Sequence, residues 1–192
     1  MTRAPGCSIA NDFASAAHPA SRSSPAGTST STSASVPAAV SPRAAREGAP
    51  SLQEIQSTLR RRDEVRNGTS KSGHRQRLLV AAHSFGSLLA FTAAASPGGL
   101  EADGLLAMGS PGAAVLHKSQ LNLHATDGDP EVYAVTGSRD WISMLGSAFG
   151  GYHGADPSDA LFGAERWPSE SDHDYWKDES FLKRVGEAAN AR

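Results

Sequence analysis

The sequence has little cysteine, no excess of charge and no long apolar run, and each absence excludes a class of protein. Its 192 residues include one cysteine, Cys7, which excludes an internal disulfide framework and a metal site built from several cysteines. The 18 basic and 20 acidic residues nearly balance, which argues against a nucleic-acid or anionic-membrane binder driven by bulk charge. No run approaches the ~18 apolar residues needed to span a bilayer. We therefore expect no nucleic acid, no membrane span and no metal among its partners.

Aromatic residues are also scarce in the first part of the chain, where only Phe13 precedes position 85. Residues 1–49 are rich in Ala, Ser, Thr and Pro and show neither a helical nor a strand period. Such a segment buries too little apolar surface to offset its conformational entropy, so we predict a disordered tail. It also has no apolar stretch typical of an export signal, which predicts a cytoplasmic protein and leaves export open. The ordered domain is predicted over residues 50–192.

Ser51 and Glu54 form the pattern of a capping box, in which each side chain satisfies a backbone N–H at the start of a helix. Together with apolar residues on one face, this pattern predicts a helix from about 51 to 65. Four arginines near its end are expected on the exposed side: Arg60, Arg61, Arg62 and Arg66. Acidic residues stand among them, so a solvated helix end is favoured over a nucleic-acid site.

Short apolar runs alternate with helical patterns from residue 75 onward. Such runs, bounded by glycine, proline or polar clusters, are typical of parallel strands that are buried on both faces. We predict strands at 78–82, 105–108, 132–136 and 166–168, with helices at about 87–95 and 179–190. This alternation predicts an α/β fold with a mostly parallel sheet of about three to four strands and flanking helices.

A serine stands at the junction between the first of these strands and the helix that follows it. Ser84 has a small residue two positions before it, Ala82, and another two positions after it, Gly86. This spacing is that of a nucleophile elbow, a sharp turn that exposes the serine hydroxyl and brings small residues close to neighbouring backbone. The N–H of Phe85 then lies at the helix start, where it can donate to a developing oxyanion. Ser84 is the predicted nucleophile.

A serine hydroxyl needs a base to take its proton, and the base needs an acid to orient it. Asp140 follows the third predicted strand, and His173 lies between the last strand and the closing helix. Both are expected at the carboxyl edge of the sheet, where sites in open parallel sheets gather. The order Ser84, Asp140, His173 therefore predicts a catalytic triad, with Asp140 as the orienting acid and His173 as the base.

Each member of this triad has a competing interpretation. Ser84 also fits the N-cap of the following helix, a common role for serine. Asp156 and Asp159 are rival candidates for the acid, although Asp156 precedes a proline and is typical of a turn. His153 is a rival candidate for the base, and His83 is expected to line the top of the sheet.

Four motifs around these residues resemble one family. They are the segments 82–87, 108–112, 153–157 and 172–176. Together they resemble the carboxyl-terminal half of an α/β-hydrolase and, more narrowly, a high-GC bacterial α/β-hydrolase family long listed as a domain of unknown function. The resemblance implies Ser84 as nucleophile, His173 as general base and Asp140 as its orienter.

The chain departs from that family before the elbow. Its first 74 residues contain one predicted helix and a low-complexity segment, with no glycine-rich loop after a strand to give a second oxyanion N–H. The primary prediction is a serine hydrolase that cleaves an ester, thioester or amide of a small-molecule acyl substrate without a cofactor. The alternative is a catalytically impaired, truncated fragment or binding module, for which a partner chain would supply the missing strands. A third hypothesis is acyl transfer by the same residues.

Overall fold

The computed structural model describes residues 41–67, 76–142 and 153–190, and a four-stranded parallel sheet lies at its centre. The order along the sheet follows the chain: β1 (Leu79–His83), β2 (Gly104–Met108), β3 (Glu131–Val135) and β4 (Glu165–Trp167). Each strand lies within one residue of a predicted run, so the predicted parallel α/β sheet is confirmed. The last residues of the four strands pair in register: His83, Met108, Val135 and Trp167. Side chains that follow these ends therefore meet at one edge.

Within the described residues, three helices cover the two faces of the sheet. α1 (Pro42–Asn67) and α2 (Phe85–Ala95) lie against one face, and α3 (Glu179–Asn190) lies against the other. The first, called the alanine face below, is packed largely with small residues: Ala49, Ala90, Ala93, Ala94, Ala102, Ala107 and Ala113. The second, called the aromatic face, is packed with large side chains: Met108, Tyr133, Trp167, Tyr175 and Phe181. Short 3₁₀ turns complete the described structure: Lys118–Gln120, Ala160–Phe162 and Tyr175–Lys177.

The first helix begins earlier than predicted. α1 starts at Pro42, and the Ser41 hydroxyl accepts a hydrogen bond from the Arg43 N–H at 3.2 Å. Ser51 and Glu54 therefore lie inside the helix, and the capping-box interpretation is wrong. Alanine is the strongest helix former, and burial of Ala45 and Ala49 extends the helix across the position where the domain was predicted to begin. The disordered tail was predicted for residues 1–49; its residues 42–49 lie in α1, and residues 1–40 lie outside the described residues.

One of the four arginines is buried rather than solvated. The Arg60 side chain is 7% exposed and donates to Asp103 Oδ2 at 2.9 Å. The same carboxylate accepts the backbone N–H groups of Leu78, at 2.6 Å, and Thr126, at 2.5 Å. Burial alone raises the pKa of Asp103, but these three donors outweigh it and hold the pKa below its usual range. This ion pair fixes α1 to the start of the sheet, and it corrects the expectation that Arg60 faces solvent.

The length and apolar character of the helices decide whether one could cross a bilayer. Within the ranges that the structure describes, none of the helices combines the length and the apolar character that a bilayer crossing needs.

Candidate active site

Ser84 occupies the sharp turn between β1 and α2. Its backbone has φ 54° and ψ −129°, a conformation that L residues rarely adopt and that concentrates at functional sites. Its hydroxyl makes no capping hydrogen bond, so the N-cap interpretation is not supported, and only its carbonyl serves α2 by accepting from Ser87. Phe85 is the first residue of α2, where backbone N–H groups lack an acceptor within the helix. The turn therefore leaves a hydroxyl and a neighbouring N–H available for chemistry.

The two small residues around the serine differ in their surroundings. Ala82 is buried, at 8% exposure, and packs in the core of the alanine face. A Cβ added at Gly86, in contrast, would meet no atom within 4 Å among the described residues. The described structure therefore does not show the steric requirement for a small residue that was expected at position 86. Within the described part of the chain, nothing packs against the first turn of α2 there.

Asp140 and His173 lie in direct contact. Asp140 is 2% exposed as a residue, and His173 Nδ1 lies 2.9 Å from Asp140 Oδ2 and 3.0 Å from Oδ1. A carboxylate only accepts, so Nδ1 carries the proton and Nε2 is left as the basic nitrogen. The Ile142 N–H also donates to Asp140 Oδ1 at 2.9 Å. The structure thus brings together the predicted acid and the predicted base, which lie 33 residues apart in the chain.

A buried tyrosine completes the surroundings of the acid. The Tyr175 hydroxyl donates to Asp140 Oδ2 at 2.6 Å and accepts from the Gly137 N–H at 2.9 Å. Burial and the neighbouring Asp140 raise the pKa of Tyr175, so the hydroxyl keeps its proton and its role as donor. No role was predicted for Tyr175 from the sequence. The only signal was its position two residues after His173, inside one of the four motifs.

Gly109, at the end of β2, lies directly beneath the acid–base pair. Its φ is +52°, and an added Cβ would lie 2.7 Å from Asp140 Oδ2 and 2.9 Å from His173 Nδ1. Only a residue without a side chain fits there. The Ser84 N–H donates to the Met108 carbonyl at 2.8 Å, so the backbone of the serine lies beside Gly109. This strand-to-strand hydrogen bond is the link between the serine and the pair.

His83 supports His173 from the side of β1. Its Nε2 donates to the His173 carbonyl at 3.0 Å, and the two ring centroids are 4.4 Å apart. Burial first, and then the charge of His173, lower the pKa of His83, so it stays neutral near pH 7. As expected, His83 lines the top of the sheet. Among the described contacts, none is a hydrogen bond between the Ser84 hydroxyl and His173.

The rival residues lie in other local structures. Asp156 accepts the Ser158 N–H at 2.8 Å, in the turn that its proline neighbour predicted. Asp159 accepts the Leu161 N–H at 2.8 Å and caps a 3₁₀ turn. His153 lies against Gly112, where burial lowers its pKa.

Comparison with known proteins gives one match. A family model described as alpha/beta hydrolase matches residues 9–150, a span that contains Ser84 and Asp140 and ends before His173. No curated protein and no solved structure matches the chain. The match covers more than half of the chain and confirms the resemblance to the α/β-hydrolases. It contains two of the four motifs, 82–87 and 108–112.

Proposed function

We propose that this chain, which belongs to the alpha/beta hydrolase family, is a serine hydrolase that cleaves an ester, thioester or amide. One observation carries the proposal: a buried carboxylate fixes Nδ1 of a histidine at the strand edge where a serine stands in a strained turn. Family and fold alone do not give an activity, because one fold serves many chemistries. The proposal therefore depends on the roles of Ser84, Asp140 and His173.

In the proposed reaction, His173 Nε2 takes the proton of the Ser84 hydroxyl as its oxygen attacks the acyl carbon. The Phe85 N–H donates to the oxyanion that forms, and the histidine then returns the proton to the leaving group. Water then attacks the acyl-enzyme, His173 takes its proton, and the proton is returned to the Ser84 oxygen as the acyl group leaves. Asp140 holds the tautomer that leaves Nε2 basic, and its charge stabilises the imidazolium. These steps use only side chains and backbone.

The surroundings of Asp140 suit this role. Its side chain has no exposed surface, and the histidine, a tyrosine hydroxyl and a backbone N–H all donate to it. Because water does not screen it, the charge acts on the imidazolium more strongly than a surface carboxylate would. Hydrogen bonds to an ionised carboxylate also fix its orientation, and with it the orientation of His173.

Labelling with a fluorophosphonate, together with hydrolysis of p-nitrophenyl acetate, tests the proposal. We expect the wild-type chain to be labelled and active, Ser84→Ala to lose both, and Asp140→Asn to lower kcat by about 10³–10⁴-fold through the wrong tautomer. The exposed serine at position 138 gives a matched control, because Ser138→Ala leaves the described site contacts intact. Equal labelling of wild type and Ser84→Ala, or a wild-type chain that is not labelled, would refute the proposal.

A second candidate function is that of a binding module with an impaired site. It is favoured by the position of β1, which leads directly into Ser84 and forms one edge of the described sheet. An edge strand presents backbone groups that can pair with a strand from a partner chain. A missing oxyanion donor costs about 10²–10³-fold in rate. Turnover of p-nitrophenyl acetate that Ser84→Ala abolishes would argue against this alternative, and product analysis with an added alcohol would separate hydrolysis from acyl transfer.

A further inference from the structure

Four aromatic rings form a continuous row across the candidate active site. Trp141 lies 5.7 Å from His173, His173 lies 4.4 Å from His83, and His83 lies 5.9 Å from Trp176, measured between ring centroids. The two imidazoles stand in the middle and an indole stands at each end. These four residues are called the aromatic row below.

The two indoles of the row are exposed to an unusual degree for tryptophan. Trp141 is 52% exposed and Trp176 is 46% exposed, whereas Trp167 is 6% exposed and packs between Tyr133 and Phe181. A single exposed apolar side chain needs no explanation, because much of any protein surface is apolar. Two exposed indoles joined by site histidines are different, because they form one apolar surface at the reacting group.

The charges in and beside the aromatic row bear on which substrate group it could take. Burial holds the pKa of His83 below its usual value, so its ring is uncharged near pH 7. Three acids adjoin the row in sequence. Asp140 is buried against His173, Asp174 is paired with Lys177 at 2.7 Å, and Asp172 accepts the backbone N–H groups of His173 and Asp174. An uncharged apolar group would gain by covering the exposed indole surface.

We propose that the aromatic row binds an uncharged, apolar acyl group of the substrate, so that long-chain acyl esters are preferred over acetyl esters. This inference rests on the proposed function, since the row is placed at His173. The acyl carbon must reach Ser84 and His173, so the acyl chain beyond it then lies along the indoles. Trp141 and Trp176 act as specificity residues that contact the chain rather than the reacting atoms.

Chain-length preference gives the first test. The ratio of kcat/KM for p-nitrophenyl octanoate to that for p-nitrophenyl acetate is measured for wild type, Trp141→Ala and Trp176→Ala. We expect each variant to lower the ratio by about tenfold, which corresponds to burying roughly two fewer methylene groups. Trp176→Phe should restore most of the ratio. The matched control is Leu161→Ala, because Leu161 is 84% exposed and is not part of the aromatic row.

A binding measurement keeps the inference testable without turnover. 2-Decanone is uncharged, carries a long apolar chain and is not hydrolysed, and its binding is followed by the change in tryptophan fluorescence. We expect weaker binding by Trp141→Ala and Trp176→Ala, each by about tenfold, with binding unchanged in Leu161→Ala and in Ser84→Ala.

The outcomes separate the two proposals. A wild-type chain that is not labelled by fluorophosphonate, but that binds 2-decanone more tightly than both tryptophan variants do, would overturn the serine hydrolase and support the aromatic row as a binding site. Serine-dependent acetate hydrolysis, with chain-length ratios and 2-decanone binding the same in wild type and both tryptophan variants, would overturn the aromatic row alone. Circular dichroism of each variant identifies any that fail to fold. If an alanine variant fails, the aromatic row is tested by the chain-length ratio and the 2-decanone binding of Trp176→Phe.

Discussion

The two faces of the sheet are built from different residue types, and they give the candidate site different parts. On the alanine face, small residues let α1 and α2 approach the strands closely, and α2 starts directly at Ser84. On the aromatic face, large rings bring hydroxyl and imidazole groups to the same strand edge, where Tyr175 and His173 meet Asp140. The serine therefore depends on close backbone packing, whereas the acid–base pair depends on side-chain hydrogen bonds.

The aromatic face uses the same pairing of tyrosine and acid twice. At the carboxyl edge, Tyr175 donates to Asp140, and at the opposite edge Tyr133 donates to Glu131 at 2.5 Å. Burial first, and then Glu131, raise the pKa of Tyr133 to about 12. Only the first pair meets a histidine. The comparison indicates that a tyrosine–carboxylate pair is a structural element in itself, which becomes part of a site through its neighbours.

Among the substitutions that compare the two faces, Gly109→Ala is expected to have the largest effect, because it places a methyl group beneath the acid–base pair. The added Cβ must displace Asp140 or His173, because it would lie 2.7 Å from the carboxylate oxygen. A misplacement of about 1 Å costs about 10²-fold in rate, so kcat for p-nitrophenyl acetate should fall by about that factor.

Gly128→Ala is the control for this substitution. Gly128 also has a positive φ, +69°, but an added Cβ would meet nothing within 4 Å among the described residues. It should cost only the backbone strain, about 1 kcal/mol, and leave kcat unchanged. Equal loss of activity in both variants would show that backbone strain, rather than contact with the pair, is responsible.

A smaller effect on rate is expected from Tyr175→Phe. The substitution removes a hydrogen bond to Asp140 and leaves the buried Gly137 N–H without its described acceptor. We expect the free energy of unfolding to fall by about 1–3 kcal/mol in urea titration, and kcat to fall by about tenfold. Tyr133→Phe is the matched control, because it removes the corresponding hydroxyl at the other edge and should spare kcat. A stability loss without a kcat loss would make Tyr175 a structural residue only.

The smallest effect is expected in the pH dependence of stability. Because the pKa of His83 in the folded chain is below its ordinary value of 6.5, the unfolded chain binds the proton more readily. The stability that His83 contributes is therefore present above about pH 6.5 and is lost as the pH falls through its folded pKa.

Urea midpoints at pH 7.5 and 5.5 check this expectation in wild type and His83→Gln. The glutamine keeps a donor for the His173 carbonyl but does not titrate, so the variant should lose less stability between the two pH values. Some loss should remain, because burial lowers the pKa of His153 in the same direction. An identical loss of stability in both proteins would show that His83 does not contribute to the fall in stability between pH 7.5 and 5.5.

Much of the fold could be predicted from local pattern. All four strands were located within one residue. The continuous apolar signal of strands buried on both faces holds for β2 and β3, whereas β1 and β4 are partly exposed edge strands. The start of α1 could not be found in this way. Ser51 and Glu54 carry a true capping pattern, but burial of Ala45 and Ala49 against the sheet extended the helix past it.

The sequence by itself determined the alternation of strand and helix, the elbow at Ser84, and the order in which serine, acid and base follow one another. Only the tertiary structure decided that Asp140 contacts His173, across 33 residues, and that His83 holds the His173 carbonyl across 90. It also decided that Arg60 is buried and that Gly109 must lack a side chain. The physical reason is that periodicity reports on neighbours along the chain, whereas these contacts exist only after strand register has aligned distant residues at one edge.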